Sequence, residues 1–124
     1  MSFDGKTAPY LQYTHARCCS VIEKAGEVNA APDYSVLTDD DSFALATRLA
    51  AFDQAVVTAG ERRTQRYFGY LLDLAKLYNR FYLSSRILGE PAPVQSARLA
   101  LTRLTRDVLK TGLGLLLISA PTAM

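Results

Sequence analysis

Apolar residues return along this chain at alternating steps of four and three, the period of an α-helix with one buried face. Leu11, His15, Cys18, Ile22 and Ala25 form the first such stripe. Thr7 and Pro9 suit its start, because threonine caps free N–H groups and proline is tolerated in the first turn. Gly26 suits its C-terminal cap. Residues 26–41 (GEVNAAPDYSVLTDDD) break the pattern with glycine, proline and an acidic cluster, and read as a surface loop. A loop of about 16 residues is unusual inside a compact domain and often carries function.

A second helix is expected from Asp41 or Ser42, whose side chains cap well while the neighbouring acids favour its positive end. Phe43, Ala46, Leu49, Phe52 or Asp53, and Val56 would form its inward face, and Gly60 its end. The third helix has the clearest period. Tyr67, Leu71, Leu74, Tyr78, Phe81, Ser85 and Leu88 alternate at four and three over residues 64–88, backed by Arg66, Gly69, Asp73, Lys76, Arg80 and Ser84. Gly89 and Pro91 stop it. A fourth helix is predicted over 93–111, with Ala97, Leu101, Leu104, Val108 and Thr111 inward and a basic stripe of Arg103, Arg106 and Lys110 beside them. Gly112 and Gly114 would break it before a short apolar tail ending at Met124. Strand patterns are absent. The expected fold is all-α: an antiparallel helical bundle of about four to five helices in one domain, residues 1–124.

Composition narrows the class. The chain has 124 residues, 49% apolar and 21% charged, which fits a packed globular domain rather than a disordered one. Its longest aliphatic run, Leu115-Leu116-Leu117-Ile118, is far too short to cross a bilayer, so no membrane partner is expected. No basic region followed by an apolar one opens the chain. The two cysteines, Cys18 and Cys19, are adjacent and point about 100° apart on a helix, so a mutual disulfide is not expected and a reduced, cytoplasmic setting is. The net charge of +2 is unevenly spread. Residues 1–41 carry three basic against seven acidic side chains, and residues 42–124 eleven against five. A polyanionic partner would therefore meet the last two thirds of the chain.

Candidate chemistry is sparse. Gly112-Leu113-Gly114 begins a phosphate-cradle pattern, but Leu117 stands where the third glycine belongs and no strand precedes it; a helix stop is the plainer reading. Asp39-Asp40-Asp41 can be read as oxygen ligands for a divalent cation or as a solvated helix cap. His15, the single histidine, falls on an inward helical face without an acid at i+3 or i+4, and reads as a packed side chain. Seven tyrosines occur without a tryptophan. Tyr10, Tyr13, Tyr78 and Tyr82, with Arg80, Arg86 and the basic stripe, fit an RNA-binding surface: rings stack on unpaired bases and cations neutralise phosphates. Half-buried core is the other reading of the same rings.

Longer strings carry more information. The opening Ser2-Phe3-Asp4-Gly5-Lys6-Thr7-Ala8-Pro9-Tyr10-Leu11-Gln12-Tyr13-Thr14-His15-Ala16-Arg17 resembles arginyl-tRNA synthetases where the chain leaves their catalytic core. The resemblance continues through Tyr70-Leu71-Leu72-Asp73-Leu74-Ala75, Tyr78-Asn79-Arg80-Phe81-Tyr82, Ala97-Arg98-Leu99-Ala100-Leu101 and Val108-Leu109-Lys110-Thr111-Gly112-Leu113. It closes on Pro121-Thr122-Ala123-Met124. It implies a DALR-type anticodon-binding domain that grips the anticodon loop of arginine tRNA. Tyr10, Tyr13 and Tyr82 match the family's base-holding tyrosines, and Met124 its C-terminal residue at the same site. Some members carry an aromatic where this chain has Arg86, whose guanidinium plane can stack instead. The His-x-Gly-His and Lys-Met-Ser-Lys-Ser signatures of the catalytic core are absent from the sequence. No cofactor is therefore expected here; ATP belongs to the parent enzyme resembled. Two origins are open: an excised C-terminal domain, whose partner would be the parent's catalytic domain, or a free-standing paralogue acting as a helical protein-interaction module.

Overall fold

The computed structural model describes residues 7–28, 30–52 and 63–115. These hold four α-helices and no strand: α1 Thr7–Ala25, α2 Asp40–Ala50, α3 Arg63–Ser84 and α4 Ala92–Leu115, with a short 3-10 turn at Tyr34–Val36 before α2. The expected all-α bundle is what the chain forms. The predicted face residues Val56 and Gly60, the side chains of Arg66 and Tyr67, and the tail from Leu116 to Met124 lie outside the described residues.

Side-chain contacts give the helix directions. Arg48 near the end of α2 pairs with Asp73 at 3.2 Å, and the Tyr70 hydroxyl donates to the Arg48 carbonyl. At the other end Asp39–Asp41 share a cleft with Ser84 and Ser85, so α2 runs against α3. Gly112 sits beside Leu71, and Arg98 donates to the Arg86 carbonyl at 2.6 Å, so α4 also runs against α3. Asn79 meets Tyr10 and Thr14 while Leu88 lies near Lys24, so α1 runs parallel to α3. The result is an up-down-up-down bundle in which α3 touches every other helix.

The core follows the predicted stripes on α1 and α3 closely. Leu11, His15 and Cys18 are buried on α1, although Val21 rather than Ile22 fills the next core position. Gly26 caps α1 with φ +67°, a left-handed conformation that glycine adopts without Cβ strain. On α3, Leu71, Leu74, Tyr78 and Phe81 are buried, and the helix ends at Ser84 rather than Leu88, with Ser85 buried just beyond it.

Three expectations are corrected. The inward face of α2 is Ser42, Leu45 and Leu49, and Phe43 is 69% exposed. Its cap is Asp39, whose carboxylate accepts from the Ser42 backbone N–H at 3.1 Å and the Ser42 hydroxyl at 2.7 Å. Capping from Asp39 turns Ser42 inward, already satisfied, and Phe43 outward. On α4 the buried residues are Ser96, Ala97, Leu99, Leu101, Thr102, Thr105, Leu109, Gly112 and Leu113, while Leu104 is 52% exposed and Thr111 is exposed. The threonines are tolerated because each hydroxyl donates to a carbonyl one turn back: Thr102 to Arg98 and Thr105 to Leu101. Finally, Gly112 does not end α4. A Cβ there would lie 2.6 Å from Leu71 Cδ2, so glycine lets two helices approach closely.

Loop 26–39 is tied down at two points. Ser96 donates to the Ala30 carbonyl at 3.0 Å, and the Asp33 N–H to the Pro93 carbonyl at 3.0 Å. These bonds hold it against the start of α4.

Candidate nucleic-acid interface

Tyr10, Tyr13, Thr14 and Arg17 recur at helical spacing on α1 and share the flank that faces α3. Asn79 and Tyr82 meet them from α3. Arg17 joins the two sets. One guanidinium nitrogen donates to Asn79 Oδ1 at 2.9 Å and the other to the Tyr13 hydroxyl at 2.8 Å. Its carbon lies 4.3 Å from the Tyr82 ring centroid and 5.0 Å from that of Tyr13. Such a cation over a ring face gains roughly 0.5–2 kcal/mol. Asn79 completes the network, its amide nitrogen donating to the Tyr10 hydroxyl at 2.9 Å and to Thr14 Oγ1 at 3.0 Å.

This cluster adjoins a cleft of about 620 Å³ between α1 and the end of α3 with the segment 85–88 that follows it. Tyr13, Tyr82 and Leu83 give it aromatic and apolar walls. Three cations, Arg17, Lys24 and Arg86, line it against one carboxylate, Glu23. Ring faces, hydroxyls and an excess of positive charge in a cleft suit a flat, polar, anionic ligand.

The residues predicted from sequence divide here. Tyr13 and Tyr82 line the cleft, Tyr13 being exposed and Tyr82 half-buried. Tyr10 is half-buried beside it, its hydroxyl held by Asn79. Arg86 lines the cleft, its Nε donating to the Leu88 carbonyl at 3.2 Å. Tyr78 is corrected: it is fully buried, its hydroxyl 3.4 Å from Thr102 Oγ1, and it offers no ring face to a ligand. Burial pushes its phenol well above the ordinary tyrosine range. Arg103 and Arg106 are on α4 and line no part of the cleft. Arg106 pairs with Asp107 at 2.9 Å and lies close enough to act electrostatically on Cys19 of α1. Met124 lies outside the described residues.

Arg17 and Asn79 are additions. Arg17 follows Tyr13 by four residues and Tyr10 by seven, so its place on the tyrosine flank was available from spacing alone. Asn79 sits inside the aromatic run 78–82 with no separate signal. Neither cysteine offers a reactive thiolate: burial pushes Cys18 up to about 12 and raises Cys19 as well.

Comparison with known proteins identifies the family. The arginine–tRNA ligase of Clostridioides difficile is 41% identical over 126 residues, covering 100% of this chain and 22% of that protein. The arginine–tRNA ligase of Thermus thermophilus is 45% identical over 133 residues, again covering 100% and 22%. The chain thus spans 22% of the length of these relatives. The solved structure of Thermus thermophilus arginyl-tRNA synthetase superimposes with a TM-score of 0.86 at 41% identity, over 99% of this chain and 22% of that one. Residues 11–124 match the DALR anticodon binding domain. With that match across most of its length, the chain belongs to the DALR anticodon binding domain family.

Proposed function

We propose that the α1–α3 cleft binds unpaired anticodon bases of arginine tRNA, and that the chain serves as the C-terminal anticodon-binding domain of an arginine–tRNA ligase. The observation that carries this reading is Arg17, held by Asn79 and flanked by the rings of Tyr13 and Tyr82 at the wall of a cationic cleft. A base entering the cleft can stack on an aromatic or guanidinium plane, while Lys24 and Arg86 hold the phosphates on either side. ATP-dependent ligation would be the work of the catalytic domain, the partner this chain would serve. The rival reading, a protein-interaction module, draws little from the exposed Phe43, Leu83 and Leu104, which sit one each on α2, α3 and α4.

The deciding experiment compares binding of arginine tRNA with a transcript altered only in its anticodon. Tighter binding of the matched tRNA is expected. Equal binding of both would overturn the proposal.

A further inference from the structure

We infer that Asn79, at the edge of the cleft, is a positioning residue that fixes the hydrogen-bonding direction there, so that the Tyr13 hydroxyl in the cleft wall and the Tyr10 hydroxyl beside it keep their protons for a ligand and select base edges that carry acceptors. The inference rests on the reading of this cleft as a base-binding site.

The direction follows from Arg17. A guanidinium has donors and no acceptor, so the Asn79 atom 2.9 Å from it must be the amide oxygen. The amide nitrogen is then turned to Tyr10 and Thr14, and both its hydrogens are used, one on each oxygen. Thr14 passes its own proton to the Tyr10 carbonyl at 3.0 Å. The Tyr10 hydroxyl has therefore accepted a bond and keeps its proton, which it donates to none of the described residues. Tyr13 is set the same way, because its oxygen accepts from Arg17 at 2.8 Å. The fixed charge of one arginine thus sets the polarity of two tyrosines, one directly and one through an amide.

A ligand at this edge is favoured where it offers lone pairs, such as a ring nitrogen or carbonyl oxygen of an unpaired base. An exocyclic amino group in the same place would meet a hydroxyl proton. Discrimination of this kind needs no extra contact area, because the wrong base leaves a desolvated donor without a partner.

Asn79→Asp tests the inference with little change of shape. The introduced carboxylate keeps Arg17 but can only accept, so Tyr10 must turn its proton inward and present lone pairs. Full-length chain is titrated with stem-loops of the arginine tRNA anticodon arm, matched and with each anticodon base replaced in turn. The readout is the ratio of affinities, because a new carboxylate also repels every RNA uniformly. The unmodified chain is expected to discriminate, and Asn79→Asp to reduce that ratio about tenfold, the size of one hydrogen bond. Tyr10→Phe should lose the same discrimination, and the double variant no more than either single one. If the unmodified chain discriminates and Asn79→Asp leaves the ratio unchanged, the inference is overturned and the anticodon reading stands. If the unmodified chain does not discriminate, both fall. Should Asn79→Asp fail to fold, Tyr10→Phe decides: lost discrimination in a folded protein supports the inference, and full discrimination overturns it.

Discussion

Arg17 stands over the ring of Tyr82, its guanidinium carbon 4.3 Å from the centroid, although the two residues come from different helices. Tyr78, one turn before Tyr82, is packed beneath it with ring centroids 6.3 Å apart. One tyrosine therefore has a cation on its face and a cleft beside it, and the other only protein.

Tyr82 and Tyr78 should consequently respond to substitution in opposite ways. Tyr82→Leu is expected to fold normally and lose about ten- to a hundredfold in affinity for the matched anticodon loop, since stacking one base is worth roughly 1–3 kcal/mol. Tyr78→Ala should instead lose stability, by about 3–5 kcal/mol for a large buried aromatic. Chemical denaturation and RNA titration of both variants check this pair, and a sharp loss of stability in Tyr82→Leu would place that ring in the core.

Charge reversal should separate cleft cations from those on α4. Binding to single-stranded RNA weakens with salt at a slope of about −0.7 per phosphate neutralised. Lys24→Glu and Arg86→Glu should each flatten the slope by about that increment, for matched and altered loops alike. Arg103→Glu, away from the cleft, should flatten it less. A larger effect at Arg103 would move the phosphate track onto α4.

Gly112→Ala should destabilise the fold even though alanine is the better helix former by about 1 kcal/mol. The added methyl would sit 2.6 Å from Cδ2 of Leu71, a fully buried side chain that would have to shift to admit it. Overpacking of this kind costs about 1–3 kcal/mol. Leu71→Val in the same chain should recover part of the loss, which thermal denaturation of the single and double variants would reveal.

Removal of the α2 cap should weaken the fold and change its acid response. Burial acts to raise the Asp39 carboxyl, but the Ser42 bonds and the charge of Arg98 outweigh it and leave the pKa below the ordinary value. The group therefore contributes its stability above the unfolded-state pKa and loses it as pH falls through the lower folded value. Asp39→Ala should cost about 0.5–2 kcal/mol near neutrality. Urea titrations at a series of pH values should show the two proteins converging in strong acid; a constant gap would mean the charge plays no part.

How much of this was legible in the sequence depends on what each position does. Periodic apolar residues give α1 and α3 directly, because Leu11, Cys18, Leu71, Leu74 and Phe81 are both hydrophobic and buried. The stripe on α4 was misaligned because Thr102 and Thr105 are core positions that do not look apolar, while Leu104 is apolar and exposed. Phe43 misled in the same way, since a capping interaction between Asp39 and Ser42, three residues apart, set the phase of α2. At the cleft, ring chemistry and resemblance pointed to Tyr13 and Tyr82. Arg17 was legible from its spacing to Tyr13 and Tyr10, but Asn79 was not, because its partners Tyr10, Thr14 and Arg17 lie more than 60 positions away and no local pattern records them.

That separation also makes the cleft a product of the finished fold. The Asn79 bonds to Tyr10, Thr14 and Arg17 bridge 69, 65 and 62 residues of chain, so no peptide taken from α1 or α3 alone can reproduce the donor arrangement. An RNA that touches both helices acts as a clasp across their seam and binds only when the seam is closed. Recognition and cohesion are then thermodynamically linked: a ligand at a hundred times its dissociation constant adds about 2.7 kcal/mol against unfolding.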